Sequence, residues 1–162
     1  MSYTFAEGLV NEVSAYLSAN LPTKLDAIDT AIGDGIVLAD PVDYLMRQPG
    51  GPKSILNWPS MFLLVPQGNV ISWHEASAEQ SYVLWLYLFA RDIDKETLSK
   101  RLYRYARAIW ETLVDHQFST ATWKMGIGST PLIDYGPDFS VGSLSGGDVH
   151  LELTYTKLEL ET

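Results

Sequence analysis

The chain has 162 residues, 46% of them hydrophobic and 19% charged, with no cysteine and a formal net charge of −9. It is long enough for one domain with a real core and too apolar for a disordered segment, and it has neither a disulfide framework nor a thiolate metal site. No segment has the length of a membrane span and the first residues lack the basic start and apolar core of a signal peptide, so a soluble, cytoplasmically made protein of a single domain, 1–162, is expected.

Thr4-Phe5-Ala6-Glu7 is a capping-box pattern. Phe5, Leu9, Val13, Tyr16 and Leu17 follow at helical spacing. Pro22 disfavours the helical shape at Leu21, which predicts a stop near Asn20. Pro22 then opens a short second helix with Leu25 and Ile28 buried. Asp34-Gly35 signals a turn, and Asp40-Pro41 predicts another helical turn through Tyr44 and Met46.

Arg47 to Ser60 reads as a loop, and Ser60 to Val65 as a strand closed by Pro66-Gln67-Gly68-Asn69. Val70 to Trp73 is expected to start a return strand. Tyr82 to Phe89 is an unbroken apolar run rich in aromatic residues, the length of a strand. Alternation puts Tyr82, Leu84, Leu86 and Leu88 on one face and Val83, Trp85, Tyr87 and Phe89 on the other. Neither set is polar. Burying one such side chain contributes roughly 1.5–3 kcal/mol, so both faces call for cover: helices on one, and a second layer or a neighbouring subunit on the other.

Asp94 is a good N-cap for the next element, with Glu96 in its first turn. Leu98, Leu102, Tyr105, Ile109 and Leu113 recur at spacings of three and four, the stripe of an amphipathic helix. Lys100, Arg101, Arg104 and Arg107 occupy its outer side. With Lys95 they are five of the eleven bases of the chain. The outer side is then either a solvated face or a surface that docks on acid.

Phe118 to Met125 and Thr130 to Tyr135 are expected strands, and Ser140 to Gly147 a flexible tip. From Asp148 on, Val149, Leu151, Leu153 and Tyr155 alternate with His150, Glu152, Thr154 and Thr156. The phase slips at Leu158 and Leu160, which predicts a bulge or an end projecting onto a neighbour. The fold class is α+β: a mostly antiparallel four- to five-stranded sheet with a long amphipathic helix and an N-terminal helix on one face.

Catalytic signatures are weak or absent. Gly126-Ile127-Gly128-Ser129-Thr130 has glycines but not the lysine or spacing of a phosphate loop. His150 and Glu152 share a strand face, and two ligands do not make a metal site. Asp26, Asp29 and Asp34 lack the spacing of a calcium loop. No serine sits in a nucleophile-elbow context. Gathered base on one helix of an acidic chain is not a nucleic-acid-binding stripe. The aromatic content points to contact instead, since aromatic residues are enriched at interfaces. Trp58 and Trp73 lie in loop contexts. With Val83, Trp85, Tyr87, Phe89, Lys100, Arg101, Arg104, Arg107, Leu158 and Leu160 they are the candidate subunit-interface residues.

The N-terminal helix, Leu21-Pro22 before Leu25, Gly33-Asp34-Gly35, and the strand after Trp58-Pro59-Ser60 together resemble the tail-terminator or tail-completion (neck) proteins of long-tailed bacteriophages. Ser81 to Leu113, with Leu102-Tyr103-Arg104-Tyr105-Ala106-Arg107-Ala108, carries most of the likeness. Ile133-Asp134-Tyr135-Gly136-Pro137 and the closing strand fit as well. The resemblance spans nearly the whole chain and is one of architecture, with no catalytic residues or cofactor to carry over. It implies a virion protein assembled in the host cytoplasm. Its expected form is a homo-oligomeric, hexameric ring in the tail or neck. Its partners would be further copies of itself, the tail tube protein, and a head-connector or neck protein. DNA would be only passing cargo, which an acidic bore would not hold by counterion release, and no membrane is involved. Other readings are a different neck or tail component, such as a head-completion or tube protein, and a small-ligand-binding α+β domain, which would need a pocket with convergent polar groups.

Overall fold

A computed structural model of the chain describes residues 5–51, 54–74, 77–118, 123–125 and 132–160, with backbone alone at 5, 69–74, 118 and 158–160. The fold is mixed α+β. Two helices, α1 (Phe5–Ile32) and α2 (Lys95–Phe118), pack on one side of a seven-stranded, mostly antiparallel sheet. The strands are β1 (Asp43–Leu45), β2 (Ser60–His74), β3 (Ser77–Asp92), β4 (Lys124–Met125), β5 (Leu132–Tyr135), β6 (Phe139–Val141) and β7 (Leu144–Leu160). Three of them, β2, β3 and β7, form the body. The sheet order is β1-β2-β3-β7, and β4, β5 and β6 each pair with a different stretch of β7. The seven strands therefore make five columns, the last a broken edge of three short pieces.

The core lies between the helices and the sheet. Tyr82, Leu84, Leu86 and Leu88 of β3 are buried there with Val149, Leu151, Leu153 and Tyr155 of β7, as the alternation predicts. The α2 stripe Leu98, Leu102, Tyr105, Ile109 and Leu113 closes over them. Asp94 caps α2, its carboxylate accepting from the Thr97 amide at 2.7 Å.

Several expectations are corrected. The first helix does not stop near Asn20; α1 runs through Pro22 to Ile32. Proline in a helix interior removes one hydrogen bond and costs about 3 kcal/mol. The unbroken stripe Leu17, Leu21, Leu25 and Ile28, all at most 2% exposed, offsets that cost only if the helix continues. Gly33, at φ 62°, ends it by donating to the Asp29 carbonyl. The helical turn expected after Asp40-Pro41 is instead the parallel strand β1, paired with Ser60–Phe62. Its successive side chains point to opposite faces: Tyr44 packs on the main core and Leu45 on a second cluster.

Pro66 does not end β2. Leu64 pairs with Trp85 and Gln67 with Val83, so two residues oppose one and Pro66 sits in the bulge. There it owes no ladder hydrogen bond. Val70 to Trp73 therefore belongs to the same outgoing strand, and the reversal comes after His74, which pairs with Ser77. The strand expected from Phe118 is confined, among the described residues, to Lys124–Met125, since α2 extends to Phe118. Residues 140–147, expected as a flexible tip, carry strand pairing: β6 and β7 form a hairpin in which Val141 pairs with Leu144 and Gly142 takes φ 61°. The β3–β7 ladder runs unbroken from Ser77–Leu160 to Asp92–Ser145, so the bulge expected near Leu158 is absent.

Candidate functional site

Both helices lie on one side of the sheet, and the register builds the other side row by row. Phe62 of β2, Tyr87 of β3, His150 of β7 and Asp134 of β5 are cross-strand neighbours. The next row is Leu64, Trp85, Glu152 and Leu132. Tyr87 stacks on His150 with ring centroids 4.1 Å apart and an interplanar angle of 10°, and Trp85 meets the same imidazole edge-on at 5.5 Å. Burial holds the His150 imidazole below its ordinary value and pushes Tyr87 and Asp148 up.

One end of this face is covered by the chain itself. Phe89 is buried in a small cluster with Phe62 and Ile55, flanked by Leu45, Trp58, Tyr87 and Phe139. Arg91 lies over the Trp58 ring at 5.6 Å and Arg47 over Phe62 at 5.2 Å. Beyond Phe89 the cover stops. Val83, Trp85 and Tyr87 are only half-buried, Tyr87 packing on the edge of that cluster and Val83 and Trp85 lying outside it. Beside them runs a groove of about 290 Å³ lined by Pro66, Gln67, Val83, Trp85, Leu132 and Glu152.

The candidate interface residues thus separate. Val83, Trp85 and Tyr87 are brought together on the open face, while Trp58 and Phe89 pack at its covered end. The side chains of Trp73, Leu158 and Leu160 lie outside the described residues. The four basic candidates, Lys100, Arg101, Arg104 and Arg107 of α2, are on the opposite side of the molecule, and all four are engaged within the chain. Lys100 pairs with Glu96 and Arg107 with Glu111, both at 2.8 Å and one helical turn apart. Arg101 pairs with Asp92 at 2.8 Å and donates to the Val37 carbonyl. Arg104 clasps Asp34.

Leu132, Asp134 and Glu152 belong to the open face and were not singled out as candidates. The alternation of β7 carries a signal for Glu152. Nothing local carries one for Leu132 and Asp134, whose place depends on β5 pairing with β7. Gly126 to Thr130 lies outside the described residues. His150 and Glu152 approach at 3.6 Å, a polar pair on one strand. Among the described residues no three His, Asp or Glu side chains gather as a metal site. No described helix is long and apolar enough to cross a membrane.

No protein-family model matches the chain, and no curated protein matches it. Among solved structures, a chain from the virion of a native gene transfer agent particle is similar over 89% of this chain and 97% of its own length, at 13% identity and a TM-score of 0.37. That likeness is too slight to argue from.

Proposed function

We propose that this chain is a structural virion protein that works by assembly, and specifically a tail terminator: a hexameric ring that caps the tail tube and joins it to the head connector. The observation that carries the reading is the open sheet face. A two-layer fold that leaves Val83, Trp85 and Tyr87 half-buried forgoes part of roughly 1.5–3 kcal/mol for each, which a docked neighbour would recover. A closed ring also needs two different contact surfaces on each subunit. The aromatic sheet face and the ion-paired outer face of α2 differ in chemistry and lie on opposite sides. The sequence resemblance supplies the choice of terminator among assembly proteins.

Light scattering after size exclusion, on the protein alone and with tail tubes added, tests the reading. The expected result is a ring-sized oligomer, with antibody label at the neck of purified particles. A protein that stays monomeric with tubes present and is missing from particles would end it.

A further inference from the structure

The groove beside Trp85 has a chemistry that selects its occupant. At about 290 Å³ it falls just under the roughly 300–1,000 Å³ of pockets that hold drug-sized ligands, so it suits one side chain better than a metabolite. Pro66, Val83 and Leu132 make apolar walls, Trp85 offers an indole, and Glu152 brings a carboxylate. No lysine or arginine lines it among the described residues. The base nearest to Glu152 is the His150 imidazole at 3.6 Å, beyond hydrogen-bond distance. Asp134 lies opposite His150 in the adjoining row of the same face, so carboxylates outnumber bases around the groove among the described residues.

We infer that this groove receives an arginine side chain from a partner protein. The inference rests on the reading of the open sheet face as an assembly surface. A guanidinium is flat, stacks on an aromatic ring, and meets a carboxylate through two parallel N–H donors. Its aliphatic stem would lie against Val83 and Leu132. A lysine ammonium is more strongly hydrated and gains less from the indole. The arginine is not drawn from a second copy, because Arg101, Arg104 and Arg107 are ion-paired in their own chain and Arg47 and Arg91 lie over its Phe62 and Trp58 rings. The partner is a different protein that presents a basic segment.

The test titrates the whole protein with the blocked peptide acetyl-Gly-Arg-Gly-amide and its citrulline counterpart, which keeps the shape and loses the charge. Two-dimensional NMR reads the Trp85 indole and the Val83 and Leu132 amides. Saturable shifts confined to these signals with the arginine peptide, at least three-fold weaker with citrulline, are expected. Glu152→Gln should weaken arginine binding by a similar factor, and Glu96→Gln on α2 should leave it unchanged. Equal response to citrulline, or shifts spread over every acidic surface, would overturn the inference; the citrulline arm uses the unmodified protein and is independent of variant folding. Self-association followed by light scattering is a separate readout, so loss of the ring reading is distinguishable from loss of arginine capture.

Discussion

Arg104 of α2 holds Asp34, two residues beyond the end of α1, through both arms of its guanidinium, with Nη1 donating to Oδ1 at 3.0 Å and Nη2 to Oδ2 at 2.5 Å. The same Oδ1 accepts from the Ile36 amide, so one carboxylate shapes the turn and ties it to the second helix. The arginine beside it lowers the Asp34 carboxyl from 3.8 to about 2. A carboxylate with a depressed folded pKa stabilises fully above its ordinary value and loses that effect as pH falls through the folded one. Thermal melts should therefore show a cost for Arg104→Ala and for Asp34→Asn above pH 4 that shrinks toward pH 2. The double variant should be no worse than either single one, and additive costs would mean the tie is idle.

Neighbouring residues of β3 should respond in opposite ways. Leu84 is fully buried in the main core, so Leu84→Ala should cost about 2–5 kcal/mol in denaturant unfolding. Trp85→Ser, on the open face, should cost much less while weakening assembly with the neighbour that covers it at least ten-fold. If Trp85→Ser unfolds the protein as Leu84→Ala does, the open face is not a surface kept for a neighbour.

Tyr105 is 1% exposed, and its hydroxyl donates to the Ala39 carbonyl at 2.6 Å. This bond fixes the segment between α1 and β1. Tyr105→Phe leaves that acceptor short of a partner, and a loss of about 1–3 kcal/mol is expected in chemical denaturation.

Gly68 faces Tyr82 directly across the β2–β3 ladder. A β-carbon at Gly68 would overlap the Tyr82 ring, which itself rests edge-on against buried Trp123 at 5.5 Å. Gly68→Ala should destabilise by about 1–3 kcal/mol, as overpacking does. A crystal structure of the variant should find the ring displaced from Trp123; an unmoved ring and an unchanged melting point would contradict the account.

His116 is 1% exposed, stacked on Tyr16 with centroids 4.3 Å apart. Burial lowers its pKa from 6.5, Glu12 pulls it partly back and Lys124 adds to the lowering. The unfolded chain then binds the proton more readily, so stability rises with pH through this window. The contribution is complete above about 6.5 and fades as pH falls below it, and His150 acts in the same direction. Stability curves between pH 7.5 and 5 should slope accordingly and flatten in the His116→Phe, His150→Phe double variant. An unchanged slope would assign the acid sensitivity elsewhere.

Local periodicity determined much of this molecule. The stripe from Leu98 to Leu113 and the cap at Asp94 define α2 without any tertiary knowledge, because a helix face repeats within a few residues. The alternation in Tyr82–Phe89 and Val149–Tyr155 likewise named both central strands and their buried sides. Local rules failed where distant packing outweighed them. Leu21, Leu25 and Ile28 find a core that carries α1 through Pro22, and β3 holds β2 together past Pro66 by absorbing it in a bulge. The partners of Arg101 and Arg104 were equally out of reach: Asp92 and Asp34 come beside them only when the chain folds back. That packing ties Arg101 and Arg104 of α2 into the body of the molecule. It also placed Trp85, Leu132 and Glu152 around one groove, because cross-strand neighbours are set by ladder register, and register is a property of the whole sheet.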